Sequence, residues 1–344
     1  MKTIDLRSDT VTKPTQEMRE AMLTAIVGDD VNGEDPSVNR LEELTARILK
    51  KEAALFVTSG TQGNQLAILA TSYPGDEIIV GDQSHIFYYE AGAAAALAGV
   101  QNYTLPSHKG EMDPHHIEKA IREEDIHFPR TSLLCLENTH NRAGGVVLSL
   151  EYMKMVAEIA RKHHIPVHLD GARLFNAAVA LGVDVKEITQ HVDTVQICLS
   201  KGLCAPVGSV LAGPKALIDK ARIWRKRLGG GMRQAGVIAA PGIVALTTMV
   251  GRLAEDHRMA KRLAKGLTRL AGIHVDTENV QTNIVLVDVS GTKYDESGFI
   301  ERLTQEGILA FPFDTNVIRF VTHRDLTEED IDEALIRIEQ MVSR

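Results

Sequence analysis

The sequence predicts an α/β fold, a mostly parallel sheet covered by helices, followed by a smaller C-terminal α+β domain. Three observations carry that expectation. Between residues 53 and 212 short apolar runs alternate with helix-patterned segments, as in sheets built from strand–helix–strand units. The runs are rich in Val, Ile and Leu and show no in/out alternation, as expected of strands buried on both faces. Near Thr247 the pattern changes to a long helix followed by mixed short strands and helices. At 344 residues the chain exceeds what one compact core usually serves. We therefore expect a large domain over residues 1–247 and a small one over 248–344.

In chain order, strands are expected at 54–58, 77–81, 132–137, 165–170, 194–200 and 208–212, with helices at 62–72, 115–123, 150–163 and 173–181. In the second part, 251–271 reads as a helix, 283–289 as a strand and 294–305 as a helix. Residues 308–311 and 317–321 read as short strands. A final helix starts near Thr327, where a hydroxyl cap and Asp330 make an acidic first turn.

Composition narrows the function. With 44% hydrophobic and 24% charged residues and a mean hydropathy of -0.07, the chain is an ordinary globular one. A net charge of -8 argues against whole-surface binding to nucleic acid or an anionic membrane. The most apolar stretch, 91–100, is Ala/Gly-rich and far short of the ~20 residues of a membrane span. The opening MKTIDLRSDTVTKPT has no apolar signal-peptide core. Cys135, Cys198 and Cys204 are an odd count without metal-type spacing and read as reduced thiols of a cytoplasmic protein.

In open α/β sheets, ligands bind outside the carboxyl ends of the strands, so the residues there are the candidates. The first run leads into Gly60 and Thr61 at a helix start. These either cap the helix or cradle a phosphate with backbone N–H groups and the helix dipole. No Gly-Lys-Ser/Thr follows, so it is not a Walker loop, and no Gly-x-Gly-x-x-Gly is present. His85 follows the second run. It is either a solvated loop residue or an imidazole that stacks on a planar ligand and exchanges protons.

Asp170 ends the fourth run. A carboxylate there needs a cation or donors, and a helix cap is the plain alternative. His168 shares its strand face, but two ligands without a third do not make a metal site. Lys201 ends the fifth run, either snorkelling outward or serving as a desolvated nucleophilic amine. The pair carries more than either member. Asp170 and Lys201 end successive strands of one parallel array, so both can face one crevice. An imine-forming lysine and a carboxylate facing a pyridinium nitrogen are what pyridoxal 5'-phosphate needs, and Gly60–Thr61 would take its phosphate. Arg319 interrupts an apolar strand and wants an anion, either a substrate carboxylate or an acid of the small domain. The basic run Arg222, Arg225, Lys226, Arg227 precedes three glycines. It is a solvated helix face, a weak nucleic-acid patch or a phosphate partner.

With these residues in view, the chain resembles the fold-type I pyridoxal-phosphate enzymes, and within them the L-threonine aldolases. The resemblance spans essentially the whole chain. It rests on the opening Asp5-Leu6-Arg7-Ser8-Asp9-Thr10-Val11-Thr12, on Thr58-Ser59-Gly60-Thr61-Gln62-Gly63-Asn64, His85-Ile86 and Glu137-Asn138-Thr139-His140. It also rests on Leu169-Asp170-Gly171-Ala172-Arg173, Leu199-Ser200-Lys201-Gly202 and Gly229-Gly230-Gly231-Met232-Arg233-Gln234.

The resemblance implies an aminotransferase-like large domain and roles for these residues. Lys201 forms the Schiff base, Asp170 faces the ring nitrogen, His85 stacks on the ring and is a candidate base, and Gly60 and Thr61 hold the phosphate. Ser8, Arg173 and Arg319 grip the substrate carboxylate. His127 is a second candidate proton carrier, and Tyr89 lines the pocket. The implied assembly is a homotetramer of tight dimers with shared sites, in which Lys226 and Arg233 contact a neighbour's phosphate. The implied substrates are L-threonine and L-allo-threonine, cleaved to glycine and acetaldehyde. The competing readings are another pyridoxal-phosphate lyase or racemase, or a non-catalytic protein that keeps the fold. A nucleotide-dependent enzyme and a D-specific aldolase are disfavoured.

Overall fold

A computed structural model describes residues 2–343. Its elements run, in chain order, β1 (Ile4–Asp5), α1 (Gln16–Leu23), α2 (Pro36–Ile48), β2 (Ala53–Val57), α3 (Gly60–Thr71), β3 (Glu77–Gly81) and α4 (His85–Tyr88). Then come β4 (Gln101–Leu105), the small hairpin β5 (Ser107–His108) and β6 (Glu111–Met112), α5 (Pro114–Ala120), β7 (Thr131–Glu137), α6 (Leu150–Lys162), β8 (Val167–Gly171), α7 (Leu174–Leu181) and α8 (Val185–Thr189). The large part closes with β9 (Thr194–Cys198), β10 (Ser209–Gly213), α9 (Lys215–Arg227) and α10 (Gly236–Val244). The remainder holds α11 (Leu253–Leu267), β11 (Ile284–Asp288), α12 (Glu296–Gln305), β12 (Ile308–Leu309), β13 (Phe311–Asp314), β14 (Val317–Val321) and α13 (Glu328–Ser343).

Seven strands form the main sheet in the order β2-β10-β9-β8-β7-β3-β4. Only β10 runs against the rest, antiparallel to both β2 and β9. Apart from the edge strand β4, its strands are buried on both faces, as their unbroken apolar runs require. Leu55, Val57 and Leu211 face α3 and α9. Ala54, Phe56, Val210 and Ala212 join the core on the opposite face, with Leu41 of α2 and Met153 of α6. Each such Leu or Phe removed from water contributes about 1.5–3 kcal/mol.

The small part stacks α11, α12 and α13 around the antiparallel sheet β11-β14-β13. Helix α11 joins the two cores, placing Leu253 in the large one and Met259, Leu263 and Leu267 in the small one. The expected strand over 308–311 divides at Ala310. Its first half, β12, pairs in parallel with β1, and the second begins β13. A partner three hundred residues away leaves no local signal, which is why the sequence pattern merged them. The N-terminal segment thus lies on the small part, with Ile4 and Leu6 in its core. The edge strand β4 and helix α10 were not expected either. The sequence of β4, Gln-Asn-Tyr-Thr-Leu, is mostly polar, and α10 carries three of its apolar residues beside glycine and proline.

Candidate active site

The carboxyl ends of β2, β3, β7, β8 and β9 converge on a cavity of about 300 Å³. Its walls bring together Gly60, Thr61, His85, Asp170, Arg173 and Lys201. Two larger clefts, about 730 and 640 Å³, contain none of these residues.

Helix α3 starts directly against β9. Ser59 caps it, its Oγ accepting from the N–H of Gln62 at 3.1 Å, and the N–H groups of Gly60 and Thr61 are left without helical partners. The close approach needs glycine. A Cβ on Gly60 would stand 2.9 Å from Cys198 Sγ, and one on Gly63 2.5 Å from Gln196 Cγ. The free N–H groups of Gly60 and Thr61, with the helix dipole behind them, suit a phosphate.

Asp170 is 2% exposed. Its Oδ1 accepts from the Ala172 N–H at 3.0 Å and its Oδ2 from Asn64 Nδ2 at 2.8 Å. His168, on the same strand face, has both ring nitrogens occupied, by Thr194 Oγ1 at 2.8 Å and Asn64 Oδ1 at 3.0 Å. Burial pushes its pKa down to about 4, so it is neutral and structural.

His85 is held at three points. Its backbone N–H donates to Glu137 Oε2 at 2.6 Å, its Nδ1 meets Glu90 Oε1 at 2.9 Å, and its ring lies 5.5 Å from that of Tyr89. Nε2 is left as the ring nitrogen without a partner among the described residues. Burial opposes a charge on this imidazole, yet the hydrogen bond to Glu90 and the charges of Asp170, Glu90 and Glu137 outweigh it and raise its pKa. His85, Glu90 and Asp170 bring their ligand atoms within 4.8 Å of one another, but Asn64 Nδ2 donates to both carboxylates at 2.8 Å.

Lys201 follows β9 through Leu199 and Ser200. Its carbonyl accepts from Thr12 Oγ1 at 3.0 Å and the Cys204 N–H at 2.8 Å, which anchors the lysine backbone. Its amine has no hydrogen-bond or ion-pair partner among the described residues.

Arg173 is buried and bonds Asp9 through Nε at 2.8 Å and Nη2 at 2.7 Å. Burial disfavours both charges, but each holds the other. Asp9 stays well below the usual carboxylate range, and the pKa of Arg173 is raised. Arg319 donates through Nη1 to Asn141 Oδ1 at 3.1 Å, while its buried Nε has no partner. Burial and the nearby Arg173 charge lower its pKa, as expected of two guanidiniums facing a place for an anion.

The structure distributes the remaining candidates differently. Ser8 caps the segment at Asp9, its Oγ accepting from the Thr10 N–H at 3.2 Å. Ser8, Tyr89 and Arg319 do not line the cavity; Arg319 reaches it through Asn141, Ser8 through Asp9 and Arg173, and Tyr89 through His85. Tyr89 packs on His85, and its hydroxyl accepts from Arg142 Nη1 at 2.9 Å. His127 is not brought to the cavity of its own chain. It precedes β7, is exposed and bonds Asp125, whereas the cavity lies at the far end of that strand, roughly 20 Å away at 3.3 Å per residue. Lys226 and Arg233 also lie outside the cavity of their own chain, and Arg233 pairs with Asp29 at 2.8 Å.

Sequence reasoning missed Asp9, Asn64, Glu90, Glu137, Asn141 and Gln196. The available signal was polarity in apolar company, as with Gln196 inside β9 and Glu137 at the end of β7. Asp9, Asn64 and Glu137 lay within the quoted motifs without a role.

The residues fit pyridoxal phosphate. Along one wall stand an unpartnered amine, a buried carboxylate and a glycine-started helix. Two buried acceptors of the same cavity, Gln196 Oε1 and Thr139 Oγ1, have no protein partner.

Comparison with known proteins agrees with this geometry. The family model described as Beta-eliminating lyase matches residues 5–290. The chain is 47% identical to a probable low-specificity L-threonine aldolase 2 of Arabidopsis thaliana, over 99% of this chain and 98% of that protein. It is 46% identical to the low specificity L-threonine aldolase of Escherichia coli (strain K12), over 96% of each. Among solved structures, the Leishmania major threonine aldolase superposes with a TM-score of 0.84 at 21% identity, covering 98% of this chain and 99% of that one.

Proposed function

This chain belongs to the beta-eliminating lyase family and, within it, to the low-specificity L-threonine aldolases; from that premise we propose that it cleaves L-threonine and L-allo-threonine to glycine and acetaldehyde with pyridoxal phosphate. The observation that carries the reading is the meeting of Lys201, Asp170 and Arg173 in one cavity. Lys201 would hold the cofactor covalently, Asp170 its ring nitrogen, His85 its ring face, and the N–H groups of Gly60 and Thr61 its phosphate. When bound there, the cofactor supplies an electron sink for the carbanion left as the Cα–Cβ bond breaks.

The chain's own residues do the rest. Arg173 and Arg319 bind the substrate carboxylate, and Asp9 keeps Arg173 in place. Fixing the carboxylate decides which bond at Cα stands perpendicular to the ring, hence which bond breaks. His85 Nε2 takes the β-hydroxyl proton. Glu90 at Nδ1 fixes the tautomer that leaves Nε2 bare and steadies the imidazolium that forms.

We also propose a homotetramer in which Lys226 and Arg233 serve a neighbouring subunit's phosphate site, a reading supported by their position outside their own cavity. Three unpaired thiols support a cytoplasmic location, where the reaction would supply glycine. The test is product analysis of the purified protein with each substrate. Glycine and acetaldehyde in equal amounts are expected. A 2-oxo acid with ammonia, or no turnover of either substrate, overturns the proposal.

A further inference from the structure

Behind the cavity wall runs a buried chain of hydrogen bonds. Thr194 Oγ1 meets His168 Nδ1 at 2.8 Å, and His168 Nε2 meets Asn64 Oδ1 at 3.0 Å. Asn64 Nδ2 reaches both Asp170 Oδ2 and Glu90 Oε1 at 2.8 Å, and Glu90 Oε1 reaches His85 Nδ1 at 2.9 Å. Thr194, His168, Asn64, Asp170 and Glu90 are all buried.

The hydrogens can be assigned from what each group is able to donate. Asn64 Oδ1 only accepts, so His168 Nε2 carries the hydrogen. The neutral ring then has a bare Nδ1, which accepts from the Thr194 hydroxyl. That fixes the Asn64 amide, because the reversed amide would set its oxygen against two carboxylates. Each of the two Nδ2 hydrogens is left for one carboxylate. Two buried carboxylates this close need hydrogen-bond donors placed on them. Glu90 has a second donor in Gln65 Nε2 at 2.6 Å, and Asp170 has the Ala172 N–H, but Asn64 alone serves both.

We propose that Asn64, locked by His168, is a positioning residue whose one amide holds Asp170 toward the cofactor ring nitrogen and Glu90 on His85. The inference rests on the pyridoxal-phosphate reading above. The charged groups facing His85 are Glu90 beyond α4, Asp170 on β8 and Glu137 on β7, with the Tyr89 ring packed alongside. Asn64 governs two of these three carboxylates.

The test uses the full chain freed of cofactor. The rate at which diethyl pyrocarbonate labels His85 is followed by peptide mass mapping against pH, because only the neutral imidazole reacts. Cofactor affinity is measured separately by titration. In the isosteric Glu90→Gln, the His85 midpoint should fall by about one pH unit, a tenfold loss in proton affinity. In Asn64→Leu, the Glu90 carboxylate should lose the donor that holds it against His85. The His85 midpoint should then also fall, and cofactor affinity should drop about 10- to 100-fold, the loss expected for a hydrogen bond to a charged group. With Glu90 already neutral, adding Asn64→Leu should move the midpoint no further. A wild-type midpoint in Glu90→Gln overturns the proposal even if Asn64→Leu does not fold. So does a midpoint shift in Asn64→Leu that persists unchanged in the Glu90→Gln background, which would mark a packing effect. A protein that shows these shifts without cleaving threonine refutes the proposed reaction and keeps this inference; one that cleaves threonine without the shifts does the reverse.

Discussion

Asp9→Asn should destabilise the protein by about 3–5 kcal/mol, the cost of removing one member of a buried ion pair. The size can be built from the contacts. Asp9 has no solvent exposure and accepts two hydrogen bonds from the Arg173 guanidinium at 2.7 and 2.8 Å. Hydrogen bonds to a charged group contribute about 1.5–3 kcal/mol each. Asparagine keeps the shape but turns an N–H2 toward the guanidinium, and Arg173, 7% exposed, cannot turn to water instead. The assay is urea unfolding at neutral pH, repeated on an acid series. Asp9's folded pKa lies far below its ordinary value of 3.8. Its stabilisation is therefore complete above that value and is lost as pH falls through the depressed one. Wild type should lose stability below pH ~4 more steeply than Asp9→Asn. The KM for threonine should rise about tenfold in the variant as Arg173 loses its anchor. A loss of less than about 1 kcal/mol, the scale of an exposed ion pair, would refute the reasoning, as would identical acid limbs.

Further outcomes follow from the site. Lys201→Ala should fold and give no borohydride-trapped cofactor adduct; an adduct at normal stoichiometry would show that another amine carries the cofactor. His85→Asn should keep glycine as product with kcat about 10²–10⁴-fold lower. In wild type, kcat/KM should decline as pH falls through a His85 pKa above 6.5, because the base must be neutral, and a pH-rate profile reads this directly. Gly60→Ala drives a Cβ to within 2.9 Å of Cys198 Sγ; overpacking of that kind typically costs about 1–3 kcal/mol, and cofactor titration should show affinity at least about fivefold weaker. Arg319→Lys keeps the charge but loses the planar fork, so KM should rise about tenfold or more while kcat changes less, as steady-state kinetics would show.

Much of this was legible in the chain. The strands of the large part announce themselves because burial on both faces forces unbroken apolar runs, and 77–81 matches β3 residue for residue. The meeting of Lys201 and Asp170 in one cavity was legible for the same reason: each closes such a run at the same end of the sheet. Glu90 and Asn64 gave no such sign. Each is one polar residue among several in a turn or at a helix start, and each gains meaning only from the partners the fold sets against it, five positions away for Glu90 and His85 and 106 for Asn64 and Asp170. His127 shows the reverse. Its residue type suited the chemistry, but the direction of β7 carries it away from the cavity of its own chain.

By itself the sequence determined six of the seven strands of the main sheet, their order along the chain, and the placing of Asp170 and Lys201 at strand ends. These follow from local periodicity and from the cost of burying charge. Only the tertiary structure decided that Asp9 holds Arg173, that β1 pairs with β12, and that one amide of Asn64 serves two carboxylates. Such arrangements depend on distance and angle between groups far apart in the chain, and those quantities exist only once the strands are in register.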